Sequence, residues 1–447
     1  MTFSSLVARA ALAACARASK RRRSTSQLLA SATTPAPQSR DRGVLQSLDA
    51  LVRDARSLAT AAAEQPPSSH QKHVLRVVDL TTMRAAAESL RAFGGGRREH
   101  EAAAAESAER AASAASAAMA SDPDAAAAVR ELANDPSDPP LLIPYAAASA
   151  LQEALAQERR RRLAASSASA AAAAAATPPP PPPPHTMLLL QHAPVFTVGK
   201  RGRGHGFRTD AHMRRALAAG AQLDAESPRG GQATFHGPGQ AVVYPVVCLG
   251  GGGGGLPLGA RRYVEALEDA ASRASGCWGV HAQGRQPPGR TGVWAGGRKV
   301  AAVGVRVSRG VATHGLALNV ASGPLLAWFR LIDPCGLGGS EEEREADGGE
   351  KDDGGDDDGI TTSLWRELGS SDGPAPPPLP TVRRVAGDVA HALAGALGAQ
   401  AAWPGQREDD DDRAAGLPPL PPEAALAVLE GLSCTTLAAL RRCRAPL

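Results

Sequence analysis

Between Thr291 and Val320 the chain reads TGVWAGGRKVAAVGVRVSRGVATHGLALNV, and little besides a β-sheet accommodates it. Valines and small residues fill the run, and turn signals interrupt it at Gly296-Gly297 and at Ser308-Arg309-Gly310. Hairpin loops favour such residues, so the stretch is read as three strands joined by two tight turns. Strands of similar character lie upstream: His73–Leu80, two short ones within Met187–Lys200 around a His-Ala-Pro turn, and Ala241–Val247. Helical spacing appears between and after them. Ile143–Arg162 places Tyr145, Ala148, Gln152 and Leu155 on one side, and Arg261–Ala274 does the same with Tyr263, Leu267, Ala270 and Ala271. Thr381–Leu397 forms a third helix. The class is α/β.

At 447 residues the length permits two or three domains, but aromatic residues make up only 3% of it, and Ala, Gly and Pro are clumped. Segments of that kind bury too little to fold. One domain over residues 73–400 is therefore expected, interrupted by insertions at about 84–138, 163–185 and 338–359, with a low-complexity tail at 401–447. The third insertion carries eleven acids against Arg344 and Lys351, a net charge of −9. Residues 1–65 read as an organelle transit peptide. Ten Arg/Lys stand against three Asp in the first 60 residues, and no acid precedes Asp41. A mitochondrial address is the first choice and plastid the second; a basic arm for nucleic acid is the alternative reading of the same residues. Without the leader, no basic signal for nucleic acid remains. No apolar run approaches the ~20 residues of a membrane span. The six cysteines are scattered without a CxxC pair, so neither a disulfide framework nor a zinc site has the right spacing.

Arg229–Val247, RGGQATFHGPGQAVVYPVV, crowds four glycines and a proline around His236 just before an apolar strand. Bare backbone there suits close approach to a ligand. Together with TGVWAGGRKVAAVGVRVSRGVATHGLALNV, then DPCGL (Asp333–Leu337) and TSL (Thr362–Leu364), this loop resembles the octanoyltransferase family of lipoate biosynthesis. LLLQHAPVFTVGK and YVEALEDA are weaker parts of the same likeness, whose pieces keep their order across roughly residues 73–397.

The resemblance implies a mixed sheet flanked by helices, the fold of biotin and lipoate protein ligases, related to class II aminoacyl-tRNA synthetases. It also implies an acyltransferase. An octanoyl group leaves an acyl carrier protein thioester, rests on a cysteine, and passes to a lysine of a lipoyl-domain protein, with no cofactor and no metal. The catalytic positions carried over are Cys335 and Lys299. Arg229, Gly230, Gly231, Gln232, Ala233, Thr234, Phe235 and His236 match the acyl-binding loop, joined by Ala302, Val303 and Gly304 and by Gly315, Leu316 and Ala317. Uncovered backbone at Gly230 and Gly231 is expected to wall the acyl slot, with backbone N–H groups facing the developing oxyanion. His236 and His314 are expected to bond loop backbone and pin the glycine loops, with general base the alternative. A monomer is the default state.

Elementary chemistry fits the pairing. Only a thiolate attacks, and an unperturbed thiol with pKa of about 8.5 is mostly protonated near neutrality. An ammonium ~4 Å away at an effective dielectric of ~20 attracts it by about 4 kcal/mol, enough after desolvation to lower that pKa. Strict strand alternation puts Lys299 on the face of Ala301, Val303, Val305 and Val307, where partial desolvation favours its neutral form as a base. Departures from the family pattern are Phe235, where tyrosine is common, a slightly stretched spacing of 36 residues from Lys299 to Cys335, and the acidic insertion just beyond Cys335. Three rivals remain open: an ATP-dependent lipoate or biotin ligase of the same fold, a cysteine amidotransferase moving lipoyl groups, and a non-catalytic interaction protein.

Overall fold

The computed structural model describes residues 73–82, 85, 86, 88, 89, 140–172, 185–202, 204, 206–251, 255–287, 289–332, 360–369 and 379–404. The leader, most of the first insertion, the acidic insertion, Cys335 and the tail beyond residue 404 lie outside them. In chain order the elements are β1 (Val74–Leu80), β2 (Leu142–Ile143), α1 (Tyr145–Ala172), β3 (His185–His192), β4 (Val195–Val198), α2 (Asp210–Ala218), β5 (Gln222–Asp224), β6 (Ala233–His236) and β7 (Gln240–Cys248). They continue with α3 (Ala260–Cys277), β8 (Val293–Ala295), β9 (Arg298–Ser308), β10 (Val311–Asn319), α4 (Pro324–Phe329), α5 (Leu364–Gly369), α6 (Val382–Ala396) and β11 (Gln400–Ala402).

Eight strands form the main sheet in the order β11-β1-β3-β7-β10-β9-β8, with β2 also paired to β3. Pairing is parallel from β11 through β1 to β3 and antiparallel from β3 to β8, so the sheet is mixed, as expected. Alternation then sorts the side chains. Leu75, Val77, Leu189, Val243, Leu316 and Leu318 point to one face, where Tyr263, Leu267 and Ala271 of α3 and Val385, Val389 and Leu393 of α6 complete the larger core. Val78, Leu188, Leu190, Val242, Tyr244 and Ala317 point to the other, under Ala148 and Leu151 of α1. Each such aliphatic side chain, fully buried, contributes about 1.5–3 kcal/mol relative to exposure. The alanines of α3 let the two helices on the first face approach closely.

A second sheet, β5-β4-β6, stands apart from the first. The His-Ala-Pro turn therefore moves the chain from one sheet to the other, and its two strands do not pair with each other. Phe196, Phe207, Phe235, Trp328 and Phe329 form the small sheet's core with parts of α2 and α4. Thr209 caps α2, its Oγ1 accepting from the His212 N–H at 3.2 Å.

Three boundaries differ from expectation. α1 continues ten residues beyond Arg162, into what was read as linker, because the alanines there have the highest helix propensity. The linker ends where β3 begins, at His185. The domain edge at 400 cuts through β11, whose Ala401 and Ala402 pair with Leu75 and Arg76.

Candidate active site

A β-bulge sets the site. Trp294 of β8 pairs with Lys299 while the neighbouring Val293 pairs with Ala301, so β9 carries one extra residue at this point. The bulge breaks strict alternation: Val300 and Ala301 both join the larger core, and Lys299 turns to the opposite side. Lys299 thus does not share the face of Ala301, Val303, Val305 and Val307. It lies instead with Ala302 and Gly304, its Nζ 4.9 Å from the centre of the Trp294 ring. Only 8% of Lys299 is exposed. Residues 360–362, leading into the TSL segment, hold its backbone: the Lys299 N–H donates to the Ile360 carbonyl at 2.6 Å, and the Lys299 carbonyl accepts from the Thr362 N–H at 2.9 Å.

On that side of the sheet lies a cavity of about 150 Å³. Paired strands β9 and β10 floor it with Ala302, Gly304, Gly315 and Ala317, together with Val303 and Leu316. Small side chains on facing positions leave the space open. Arg229, Gly231, Gln232, Ala233, Thr234 and His236 close another wall. Two expected loop residues do not line it. Gly230 instead donates its N–H to Val305 of β9 at 2.9 Å, which takes that donor away from any oxyanion. Phe235 points to the reverse face of β6, stacked on Trp328 at 5.2 Å, because neighbouring strand residues face opposite ways. Residues the sequence reading missed also line the cavity: Arg201, Tyr244, Gly289, Thr291, Asn319, Phe329 and Thr361. Only the apolar-to-turn transition after Val198 and the motif asparagine of HGLALN could have signalled any of them.

Arg229 brings a positive charge to the wall while 7% exposed. Its Nη2 donates to the Thr197 carbonyl at 2.7 Å and to Thr197 Oγ1 at 2.6 Å, and its Nη1 to the Gly230 carbonyl at 3.0 Å. Burial lowers its pKa. Behind the cavity the α1 helix delivers Tyr145, whose hydroxyl bonds Ser227 Oγ at 2.6 Å and His314 Nε2 at 3.2 Å.

Three imidazoles surround Tyr145. His192 Nδ1 donates to the Ile143 carbonyl at 2.8 Å, so its Nε2 is the acceptor for the Tyr244 hydroxyl at 3.0 Å. His236 Nδ1 donates to Gln240 Oε1 at 2.7 Å, leaving Nε2 as an acceptor nitrogen in a neutral ring. Burial first, then His192 and Arg229, hold His236 well below the ordinary imidazole value. Burial, Arg229, Arg306 and His192 bring His314 down to about 3. Both rings therefore bond side chains rather than loop backbone, contrary to expectation. From His236 the hydrogen bonds continue: Gln240 Nε2 donates to Asn319 Oδ1 at 2.9 Å, and Asn319 Nδ2 to the Thr362 carbonyl at 2.9 Å. Since the Thr362 N–H bonds Lys299, this chain ties the cavity imidazole to the strand that carries the lysine.

Cys335 lies outside the described residues. The described cysteines are Cys248, buried, and Cys277, exposed, both free thiols. Among the described residues no cluster of His, Cys, Asp and Glu could hold a metal ion, and no helix is long and apolar enough to cross a membrane.

The lipoyl protein ligase A/B catalytic domain family matches residues 144–332. A mitochondrial octanoyltransferase of Arabidopsis thaliana is 42% identical over 159 residues, covering 35% of this chain and 62% of that protein. An octanoyltransferase of Geobacter metallireducens is 44% identical over 152 residues, covering 34% and 63%. The chain thus spans about three fifths of the length of the curated relatives it matches. A solved lipoate-protein ligase A bound with ATP aligns at 12% identity and a TM-score of 0.34, over 52% of this chain and 87% of that one. Across residues 144–332 the chain is similar to the lipoyl protein ligase A/B catalytic domain, and the curated relatives it resembles there are octanoyltransferases.

Proposed function

We propose that this protein transfers an octanoyl group from an acyl carrier protein thioester to a lysine of a lipoyl-domain protein, through a thioester on Cys335, and that it works as a monomer in mitochondria. The observation that carries the reading is the bulge that turns Lys299 onto the cavity face beside the small-residue floor. Chain length adds to it. Phe329 lines the cavity, and Cys335 follows Ile332 by three residues, a span of at most about 11 Å. The connection returns at Ile360, whose carbonyl holds Lys299. The segment bearing the thiol thus starts three residues after one cavity residue and ends at the partner of another, which supports the reading. The basic, acid-poor leader and the mitochondrial relative support the location, with plastid as the alternative address.

In the first half-reaction Lys299, as base, takes the thiol proton, and the thiolate attacks the thioester carbonyl. The carbon–sulfur bond to the carrier breaks and the carrier thiolate leaves, taking up that proton. In the second, the acceptor lysine's amine attacks the enzyme thioester, an amide forms, the cysteine sulfur leaves, and Lys299 receives the amine's proton. Because the donor is already a thioester, no ATP is consumed. The acyl chain occupies the slot floored by Ala302, Gly304, Gly315 and Ala317.

Exposure of the purified protein to octanoyl carrier protein without ATP, followed by intact mass and peptide mapping, tests this. An octanoyl adduct on the peptide containing Cys335, absent from Cys335→Ser, is expected. A protein that acylates a lipoyl domain only when ATP is added is a ligase instead, and full transfer by Cys335→Ser removes the thioester step.

A further inference from the structure

We infer that Glu268, a carboxylate buried beneath α3, is a positioning residue for Lys299: it clamps the loop that backs the lysine stem and so fixes where the amine points. The inference deepens the function proposed above and rests on it. Along α3 the residues at helical spacing from Glu268, Ala271 and Ser275, are buried, and Glu268 itself is 4% exposed. That face calls for an apolar side chain, since burying a carboxylate is costly unless its oxygens are bonded. Both are bonded, to the backbone of one loop. Oε2 accepts from the Arg285 N–H at 2.9 Å and Oε1 from the Gly292 N–H at 2.8 Å. Arg285 holds φ at 56°, a left-handed state that persists only where the surroundings enforce it.

The loop carries this restraint to the lysine. Its ends are tied where the Gln283 N–H donates to the Trp294 carbonyl at 2.8 Å and the Trp294 N–H to the Gln283 carbonyl at 2.9 Å. Trp294, whose ring lies beside the Lys299 amine, donates its Nε1 hydrogen to the Arg290 carbonyl at 2.9 Å. Gly292, at φ 128°, presses bare backbone against the lysine. A Cβ there would lie 2.6 Å from the Ala301 carbonyl oxygen and 3.3 Å from Lys299 Cε. The preceding Thr291 lines the cavity. Arg285 also pairs its side chain with Asp269, but that pair is largely exposed and adds little. Displacing a reacting group by about 1 Å can cost on the order of a hundredfold in rate, so a loosened Gly292 is felt at the amine.

Glu268→Gln is the test, because the amide keeps one acceptor oxygen but turns an NH₂ group toward the other backbone donor. With circular dichroism matching wild type, and well below either Tm, octanoyl transfer should show kcat lowered by about tenfold or more. KM for the octanoyl carrier protein should stay within about twofold, since ground-state binding is untouched. Trace acetylation of Lys299 by acetic anhydride, relative to the exposed Lys200, should rise by about threefold or more as the loop opens locally. Asp269→Asn, which removes only the exposed pair, should match wild type in every reading. A folded Glu268→Gln with wild-type kcat overturns the inference. So does a lowered kcat with Lys299 labelling unchanged, the mark of a structural part alone. If the variant does not fold, native-state exchange of the Arg285 and Gly292 amides in the wild type decides: strong protection supports the clamp, and exchange as fast as in exposed loops overturns it. If the wild type forms no octanoyl product, the function proposed above fails, and Lys299 labelling alone still decides the clamp.

Discussion

Tyr145 sits within ring contact of His192, His236 and His314, at centroid distances of 5.4, 6.3 and 6.3 Å. Burying three imidazoles together is tolerable only while all are neutral, and burial brings His192 down to about 4 and His314 to about 3, from 6.5. In the unfolded chain each regains the ordinary value, so below about pH 6.5 the unfolded state binds protons that the folded state does not. The stability these rings allow is therefore fully present above about pH 6.5. It is lost as pH falls toward 4, by up to about 1.4 kcal/mol per pH unit for each ring. Chemical denaturation at pH 7.5, 6.5, 5.5 and 4.5 should show a flat stability above neutrality and a steepening decline below it. His192→Asn should reduce that slope by one proton whatever it does to stability at pH 7.5. An unchanged slope means that His192 is not held neutral. None of this was readable from the sequence, where HAP, TFHGPGQ and THGLALN announce three histidines but not that separate strands and a helix bring them to one tyrosine.

Pro245 sits in β7, a central strand of the main sheet, and brings no N–H to the ladder. Opposite it the β7–β10 pairing skips from Ala312 to Leu316. His314 there adopts φ 61°, and its N–H is taken by Gln152 Oε1 of α1 at 2.6 Å. This distortion drives Gly315 against β7: a Cβ on it would lie 2.3 Å from the Val243 carbonyl oxygen and 2.7 Å from Pro245 Cδ. Gly315→Ala must therefore displace backbone, and a loss of about 2–3 kcal/mol in urea denaturation is expected, at the upper end for added core volume. A loss below about 0.5 kcal/mol, the size of an ordinary surface change, contradicts the close approach. The same strands show what periodicity can and cannot reveal. β9 and β10, their turns, α3 and α6 were legible because long runs repeat the pattern of a buried face. Of the small sheet only β4 was read, since β5 and β6 are three and four residues long and leave no period to detect. The bulge was invisible too, and it decides which way Lys299 points. Small residues at Ala302, Gly304, Gly315 and Ala317 could be read as room for a ligand, whereas Phe235 could not be excluded without knowing the face of β6.

Charge along the chain is divided in a way no single element discloses. The formal net charge is +4, yet eleven acids are gathered between Gly338 and Gly359, in the connection from Ile332 to Ile360. Ile332 follows the cavity residue Phe329 by three positions and bridges Phe207, and the Ile360 carbonyl holds the cavity residue Lys299. A charge of −9 therefore belongs to a connection whose two ends leave from and return to the neighbourhood of the cavity, and it repels an acidic donor. Such an effect reaches about 30 Å at 0.01 M ionic strength but only about 8 Å at physiological salt, so it belongs to encounter rather than to chemistry. Removing residues 339–358 should raise kcat/KM for the carrier-bound octanoyl donor by severalfold to about tenfold near 20 mM salt, and by little at 300 mM. Exchanging the eleven acids for Asn and Gln keeps the connection's length and should give the same gain, which separates charge from geometry. Turnover of octanoyl-pantetheine, a donor without an acidic protein surface, should be unaltered in both variants. A gain that persists at high salt, or that octanoyl-pantetheine shares, assigns the effect to access instead of charge. No gain at either salt means that these acids do not act on the donor at all.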